Sequence, residues 1–354
     1  MHILTLNPGS TSTKLALFTN QECVFKTTLR HSSEALKPFA SVYEQYAFRK
    51  EAILNALKQH EVSLDELDAI VGRGGMLKPI ASGTYEVNQT MLDDLKAAKR
   101  GEHASNLGAI IAYELARMAG VKAYIVDPVA VDEMEDIARV TGMVNIKRQS
   151  LFHALNQKAV ARKAAQRLQT PYDDLNLIVA HLGGGISVGA HRNGKVVDVN
   201  NALDGDGPMS PERSGGVPIG PVYHWAFSGE VTLAQMKRYN YGEGGLVAHL
   251  GTNDGAEIEK RIKQGDTQAR FIYEAMAYQI AKEIGSCATV LKGNVDAIVL
   301  TGGLAYDELL TSWIQERVAF ISHVLIFPGE DEMEALALGA LRVLQHEESA
   351  KEYR

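Results

Sequence analysis

The sequence predicts an α/β protein built from two related halves. Two observations carry this. Short β-rich apolar runs alternate with longer stretches of helical period. A strand–turn–strand–turn–strand pattern also occurs near the start and again near the middle of the 354 residues. The expected strands are 3–6, 15–18, 24–29, 68–71 and 121–126 in the first half, and 177–181, 187–191, 196–200, 296–300 and 324–327 in the second. Helical periodicity marks 41–60, 106–118, 156–169, 266–291 and 332–346.

The first meander runs ILTL into Asn7-Pro8-Gly9-Ser10-Thr11-Ser12-Thr13, then LALF, then VFKTTL. The second runs LIVA into His181-Leu182-Gly183-Gly184-Gly185, then ISVGAH, then VVDVNN. Asn7 stands to Gly9 as His181 stands to Gly183, which suggests a duplicated domain, although two common hairpins can also match by chance. The polar, basic segment 141–150 ahead of Phe152-His153 marks the boundary, expected after residue 148.

Composition excludes several classes. Hydrophobic residues at 45% and charged residues at 22% are ordinary for a soluble globular chain. The formal net charge is −7 and no basic tract stands out, so no nucleic-acid partner is expected. Cys23 and Cys287 have neither disulfide-framework nor metal-type spacing. No apolar run approaches the roughly 20 residues of a membrane span, and the apolar start breaks at Asn7-Pro8-Gly9, too short for a signal peptide. A cytoplasmic protein without a membrane partner is expected.

Three turns carry chemistry. The first, Asn7 to Lys14, combines Gly9 with four hydroxyl residues. Such a turn brings N–H groups and hydroxyls to phosphate oxygens, but a plain hairpin fits equally well. It is neither a GxxxxGK[ST] loop nor a GxGxxG turn. The second, Gly183-Gly184-Gly185, follows a buried strand and supplies no packing, so close approach of backbone to phosphate is the natural reason. The third, Gly302-Gly303 after strand 296–300, suits a nucleotide lying on backbone.

Together with Gly72-Arg73-Gly74-Gly75, Phe152-His153, Pro211-Glu212-Arg213-Ser214-Gly215 and Pro328-Gly329-Glu330-Asp331-Glu332-Met333, these turns resemble the acetate and butyrate kinase (acetokinase) family. The resemblance runs in order from residue 7 to residue 333. It implies the actin-like and sugar-kinase ATPase (ribonuclease H-like) fold, two duplicated domains with ATP in the cleft between them. It also implies that the final helix returns to the first lobe, giving 1–148 plus 331–354 as one lobe and 149–330 as the other. The chain is most similar to the butyrate branch. Pro8 stands where acetate kinases have Ala, and Gly184 where they have Asn, so no side-chain role carries over at 184.

The implied reaction is reversible transfer of phosphoryl from ATP to a short carboxylic acid. A carboxylate is already ionised at pH 7 and needs no general base; the difficulty is electrostatic. The resemblance assigns Arg73 and Arg213 to the substrate carboxylate and the moving phosphoryl, with His153 and Asn7 beside them in catalysis. Elsewhere each arginine would more often be a surface salt-bridge partner. His103 is assigned to the acyl site, although an N-cap context explains Ser105 and Asn106 equally well. Nucleotide contacts fall to Ser10, Lys14, His181, Gly183, Gly184, Gly185, Gly302 and Gly303. Mg²⁺ with ATP falls to Asp127, through water, and to Glu332, whose acidic neighbours also suit a solvated helix start.

Gly74 and Gly75 replace bulky residues of acetate kinases. The expectation is room for a longer alkyl tail, hence butyrate or a branched four- or five-carbon acid. The alternatives are a kinase for acetate or propionate, or a non-catalytic module of the same fold. Family members form at least dimers, so a homo-oligomer is expected.

Overall fold

A computed structural model describes residues 1–354. The chain divides into two compact units, Met1–Val131 with Asp331–Arg354, and Asp132–Glu330. In chain order the first contains β1 (His2–Pro8), β2 (Ser12–Thr19), β3 (Glu22–Arg30), α1 (Ser33–Leu36), α2 (Tyr46–Gln59), β4 (Ala69–Gly72), β5 (Thr84–Glu86), α3 (Gln89–Ala97), α4 (Asn106–Ala119) and β6 (Lys122–Val126). The second contains α5 (Ala154–Leu168), β7 (Asn176–Leu182), β8 (Ile186–Arg192), β9 (Lys195–Val199), α6 (Ile219–Ala226), α7 (Leu233–Asn240), α8 (Gly245–Leu250), α9 (Gly255–Lys263), α10 (Thr267–Val290), β10 (Ala297–Gly302), α11 (Glu308–Val318) and β11 (Val324–Pro328). The chain then returns to the first unit as α12 (Glu332–Leu344) and β12 (Lys351–Glu352).

The duplication is visible in the sheets. The first has the order β12-β5-β6-β4-β1-β2-β3 and the second β11-β10-β7-β8-β9. In each, three antiparallel meander strands continue into two parallel strands on the side of the first. Asn7 in β1 and His181 in β7 both stand one residue from the strand end. The expected 196–200 strand ends at Val199, and β5, β12, α1, α3, α6 to α9 and α11 were not expected.

Alternation of apolar residues fixes which face each strand buries. In the first unit Leu4, Leu6, Ile70 and Ile125 pack with Leu107, Ile111 and Leu115 of α4. The neighbouring Val126 meets Gly339 of α12 on the other face, where a methyl group would sit 2.5 Å from Val126 Cγ2. In the second unit Ile178, Ala180, Val188, Ile298 and Leu300 pack with Tyr273, Met276, Ile280 and Ile284 of α10. The opposite face takes Val160, Ala161 and Ala164 of α5 against Leu177, Val179 and Val299.

Residues 132–148, expected in the first lobe, fall in the second unit. Glu135 N donates to Val197 O at 3.0 Å, and Arg148 donates to Asp198 Oδ1 at 2.8 Å, so this segment is bound to β9. No helix is long and apolar enough to cross a membrane.

Candidate active site

Each unit presents a group of polar residues at the carboxyl ends of its central strands, the usual place for a ligand in an α/β sheet. In the first unit β1 and β4 are parallel with Leu6 opposite Gly72, and Arg73 N donates to Leu6 O at 2.8 Å. The register brings Asn7 and Arg73 together. They converge on Glu332, the first residue of α12: Asn7 Nδ2 donates to Oε2 at 2.6 Å and the Arg73 guanidinium pairs with Oε1.

The turn after β1 is held from behind. Arg49 of α2 is fully buried and faces no carboxylate. Its Nη1 donates to Gly9 O (2.8 Å), Ser12 O (3.0 Å) and Thr13 Oγ1 (3.2 Å), its Nη2 to Ser10 O (2.9 Å), and both Nε and Nη2 to Gln45 Oε1. Thr11 O accepts from His31 N at 2.8 Å. Every carbonyl from Gly9 to Ser12 therefore has an internal donor, which leaves the amide side of the turn for an anion. Burial lowers the pKa of Arg49, and burial followed by the Arg49 charge lowers that of His31. Ser10 and Lys14 are exposed on this turn and the strand after it.

His103 Nδ1 lies 2.8 Å from Ser105 Oγ. The residue is exposed, yet its ring is partly desolvated. That desolvation, then the Arg73 charge, lowers its pKa. Asp127 follows β6 with a left-handed φ of +38°, and its Oδ1 accepts from Gly83 N at 2.6 Å.

Gly74 and Gly75 do not leave volume beside Arg73, which corrects the expectation drawn from them. A Cβ on Gly74 would sit 2.5 Å from Pro128 Cβ, and one on Gly75 would sit 2.6 Å from Asn106 Cα. The glycines are there because α4 and the 127–128 turn fill the space that side chains would take.

In the second unit His181 and His153 stack with ring centroids 3.8 Å apart and planes 12° apart. His181 Nδ1 lies 2.7 Å from Asn156 Oδ1, and its Nε2 lies 3.1 Å from Glu330 Oε1. The glycine turn is closed by Gly183 N to Gly185 O at 3.2 Å and by Ser210 Oγ to Gly184 O at 2.6 Å. A side chain on Gly184 would make only ordinary contact with Glu212, whereas one on Gly185 would collide with the Arg213 guanidinium.

Arg213 lies 5.1 Å over the Tyr241 ring and donates to Ala202 O, while its buried Nε has no hydrogen-bond partner. Burial lowers its pKa, though a guanidinium stays charged. Gly302, at φ +91°, lets β10 approach Leu182, whose N and C atoms would lie 2.7 Å from any Cβ there; Gly303 opens a 3-10 turn.

Sequence reasoning missed Arg49, which has no local signal: an arginine in a helix reads as a solvated charge. It also missed Asn156, Gln157 and Ser187 around the stacked histidines. The spacing from His153 to Asn156 and Gln157, three and four residues at a helix start, was the available clue.

An acetate kinase from Porphyromonas gingivalis superposes with a TM-score of 0.79 at 22% identity, over 97% of this chain and 99% of that one. A propionate kinase from Francisella tularensis gives 0.72 at 21%, over 95% and 98%. The chain thus has the two-sheet α/β fold of these kinases. The Acetokinase family matches residues 138–348, and the chain is 55% identical to butyrate kinase 2 of Clostridium acetobutylicum over 352 residues, 99% of each protein. The chain belongs to the acetokinase family and is an ATP-dependent carboxylate kinase.

Proposed function

We propose that the enzyme transfers the γ-phosphoryl group of ATP to butyrate, or to a branched acid of similar length, giving the acyl phosphate and ADP. Kinship with the clostridial butyrate kinase supports the choice of acid. The observation that carries the chemistry is the hold of Arg73 and Asn7 on a single carboxylate, that of Glu332. Arg73 is thus shaped to grip a carboxylate, and Glu332, bound by a cation, is a poor general base. A hydroxyl acceptor would need such a base; an ionised acid does not.

In the proposed reaction a carboxylate oxygen bonds to the γ-phosphorus as the bond to the β–γ bridging oxygen breaks in line, and ADP leaves with that electron pair. No proton moves, and the reverse step regenerates ATP. Arg73 orients the acid, with His103 beside the acyl chain. Arg213, His153 and Asn7 offset the charge on the transferring phosphoryl. The turn with Ser10 and Lys14, the turn from His181 through Gly183, Gly184 and Gly185, and the Gly302-Gly303 pair hold the nucleotide.

Mg²⁺ bound with ATP would offset part of the negative charge on the phosphates. No cluster of three metal-type side chains exists, which fits a metal that takes most of its ligands from water and phosphate and only one or two carboxylates from protein. Asp127, through water, and Glu332 are those carboxylates. The enzyme acts in the cytoplasm. It works as a homo-oligomer, and Ile137, Val140 and Val144, which are 80%, 73% and 95% exposed, support that part of the reading.

A hydroxamate assay across acids of two to five carbons tests the proposal. Each buried methylene adds about 0.8 kcal/mol, so turnover efficiency should rise in steps from acetate to butyrate. Equal or better use of acetate overturns the choice of acid.

A further inference from the structure

Behind His153 a hydrogen-bonded chain runs through the core of the second unit. Tyr172 OH lies 2.7 Å from His191 Nδ1, and His191 Nε2 lies 2.9 Å from Gln157 Oε1. Gln157 Nε2 reaches Ser187 O at 3.0 Å and Ser187 Oγ at 2.8 Å, and Ser187 Oγ lies 2.9 Å from His153 Nδ1. Tyr172, His191, Gln157 and Ser187 are all buried.

The direction of every bond follows from one fixed point. Ser187 O is a backbone carbonyl and can only accept, so the group facing it must be the NH₂ of Gln157. The other end of that amide is then an oxygen, and His191 must donate to it from Nε2. Burial holds the pKa of His191 well below the ordinary value, so the ring is neutral and its Nδ1 accepts from Tyr172. On the other side Ser187 Oγ already accepts from Gln157, and its own buried hydrogen has one acceptor within reach, His153 Nδ1. Gly189 makes room for this arrangement: a Cβ there would sit 2.5 Å from Gln157 Oε1 and 3.3 Å from His191 Nε2.

We propose that Ser187 and Gln157 are positioning residues that fix the tautomer of His153, placing its proton on Nε2 so that this nitrogen donates to the transferring phosphoryl group. The catalytic part rests on the role given to His153 above; the tautomer does not. The opposite tautomer would turn a lone pair towards a polyanion.

The tautomer is read directly from nitrogen-15 NMR of the full-length protein labelled at histidine, with the His153 signals assigned by their loss in His153→Asn. Wild-type protein should carry the proton on Nε2. Ser187→Ala removes the donor to Nδ1. Gln157→Glu presents a carboxylate to Ser187, which turns the serine hydrogen away and leaves its oxygen to accept from Nδ1–H. Both variants should move proton population to Nδ1. Ser187→Ala should also lower kcat by about tenfold to a hundredfold with KM nearly unchanged. A wild-type proton on Nδ1 overturns the proposal with no variant needed. So does an unmoved tautomer in both folded variants, or an unchanged kcat in Ser187→Ala. Absence of acyl phosphate formation by the wild-type enzyme would instead count against the proposed function and leave the tautomer result standing.

Discussion

Gly185 and Arg213 share one volume: the guanidinium of Arg213 occupies the place where a side chain on Gly185 would begin. The third glycine of the turn after β7 is therefore a condition on where the arginine can sit, apart from any contact that the turn itself makes with phosphate. The backbone at Gly185 has no left-handed φ to forbid alanine, and the displaced group is the end of a flexible side chain.

Gly185→Ala should therefore leave the melting temperature within a few degrees and lower kcat by about a hundredfold, the scale for losing one charge-stabilising donor. Steady-state kinetics beside a thermal melt separate the two. A large fall in stability with normal turnover would show that the glycine serves packing instead.

Arg49 is expected to matter for both folding and turnover. Arg49→Met removes the donor to the carbonyls of Gly9 and Ser10, a loss of about 1–3 kcal/mol in urea unfolding. The first turn would relax with it, so kcat/KM should fall by at least about tenfold. Arg49→Lys, with a single point of donation, should lie between. Wild-type kinetics in Arg49→Met would disconnect the cage from the site.

Glu332 carries two expectations at once. Glu332→Gln removes the charge that pairs with Arg73 and one proposed metal carboxylate. The Mg²⁺ concentration for half-maximal activity should rise severalfold, measured by titrating the metal at fixed ATP. An unchanged Mg²⁺ requirement would assign the metal to Asp127 alone.

Three histidines set an acid limit. His31, His103 and His191 all have pKa values below the ordinary 6.5, with burial the largest cause in each. The unfolded chain takes up these protons near pH 6.5, and the folded protein takes them up only at lower pH. Their contribution to stability is thus complete above about pH 6.5 and is lost as pH falls through the folded values. Urea unfolding at pH 7.5 and 5.5 should show lower stability at 5.5, with a smaller difference in His191→Gln. Equal stability at the two pH values would contradict this.

Much of the frame was legible because each meander strand pairs with a neighbour close in sequence and ends in a turn of small residues. β5 and β12 were not, since strands of three and two residues have too little periodicity and are held by partners far away in the chain. Segment 132–148 was assigned to the wrong side because only its bonds to β9 reveal where it belongs. Within the site, Asn7, Arg73 and Glu332 could each be named, but their meeting could not: 325 residues separate the first and last. Gly74 and Gly75 mislead for a related reason. A glycine signals a missing side chain without saying whether ligand or protein fills the gap.

The return of α12 and β12 to the first unit has a consequence for biosynthesis. The intervening segment of about 200 residues takes roughly 10–40 s to be made on a ribosome adding 5–20 residues per second. Throughout that time the face of the first sheet that carries Val126 has no α12, and β5 is an open edge. The second unit is continuous in the chain and can close first. The nascent amino-terminal half must wait for its last helix, with an uncovered apolar surface of the kind that chaperones bind.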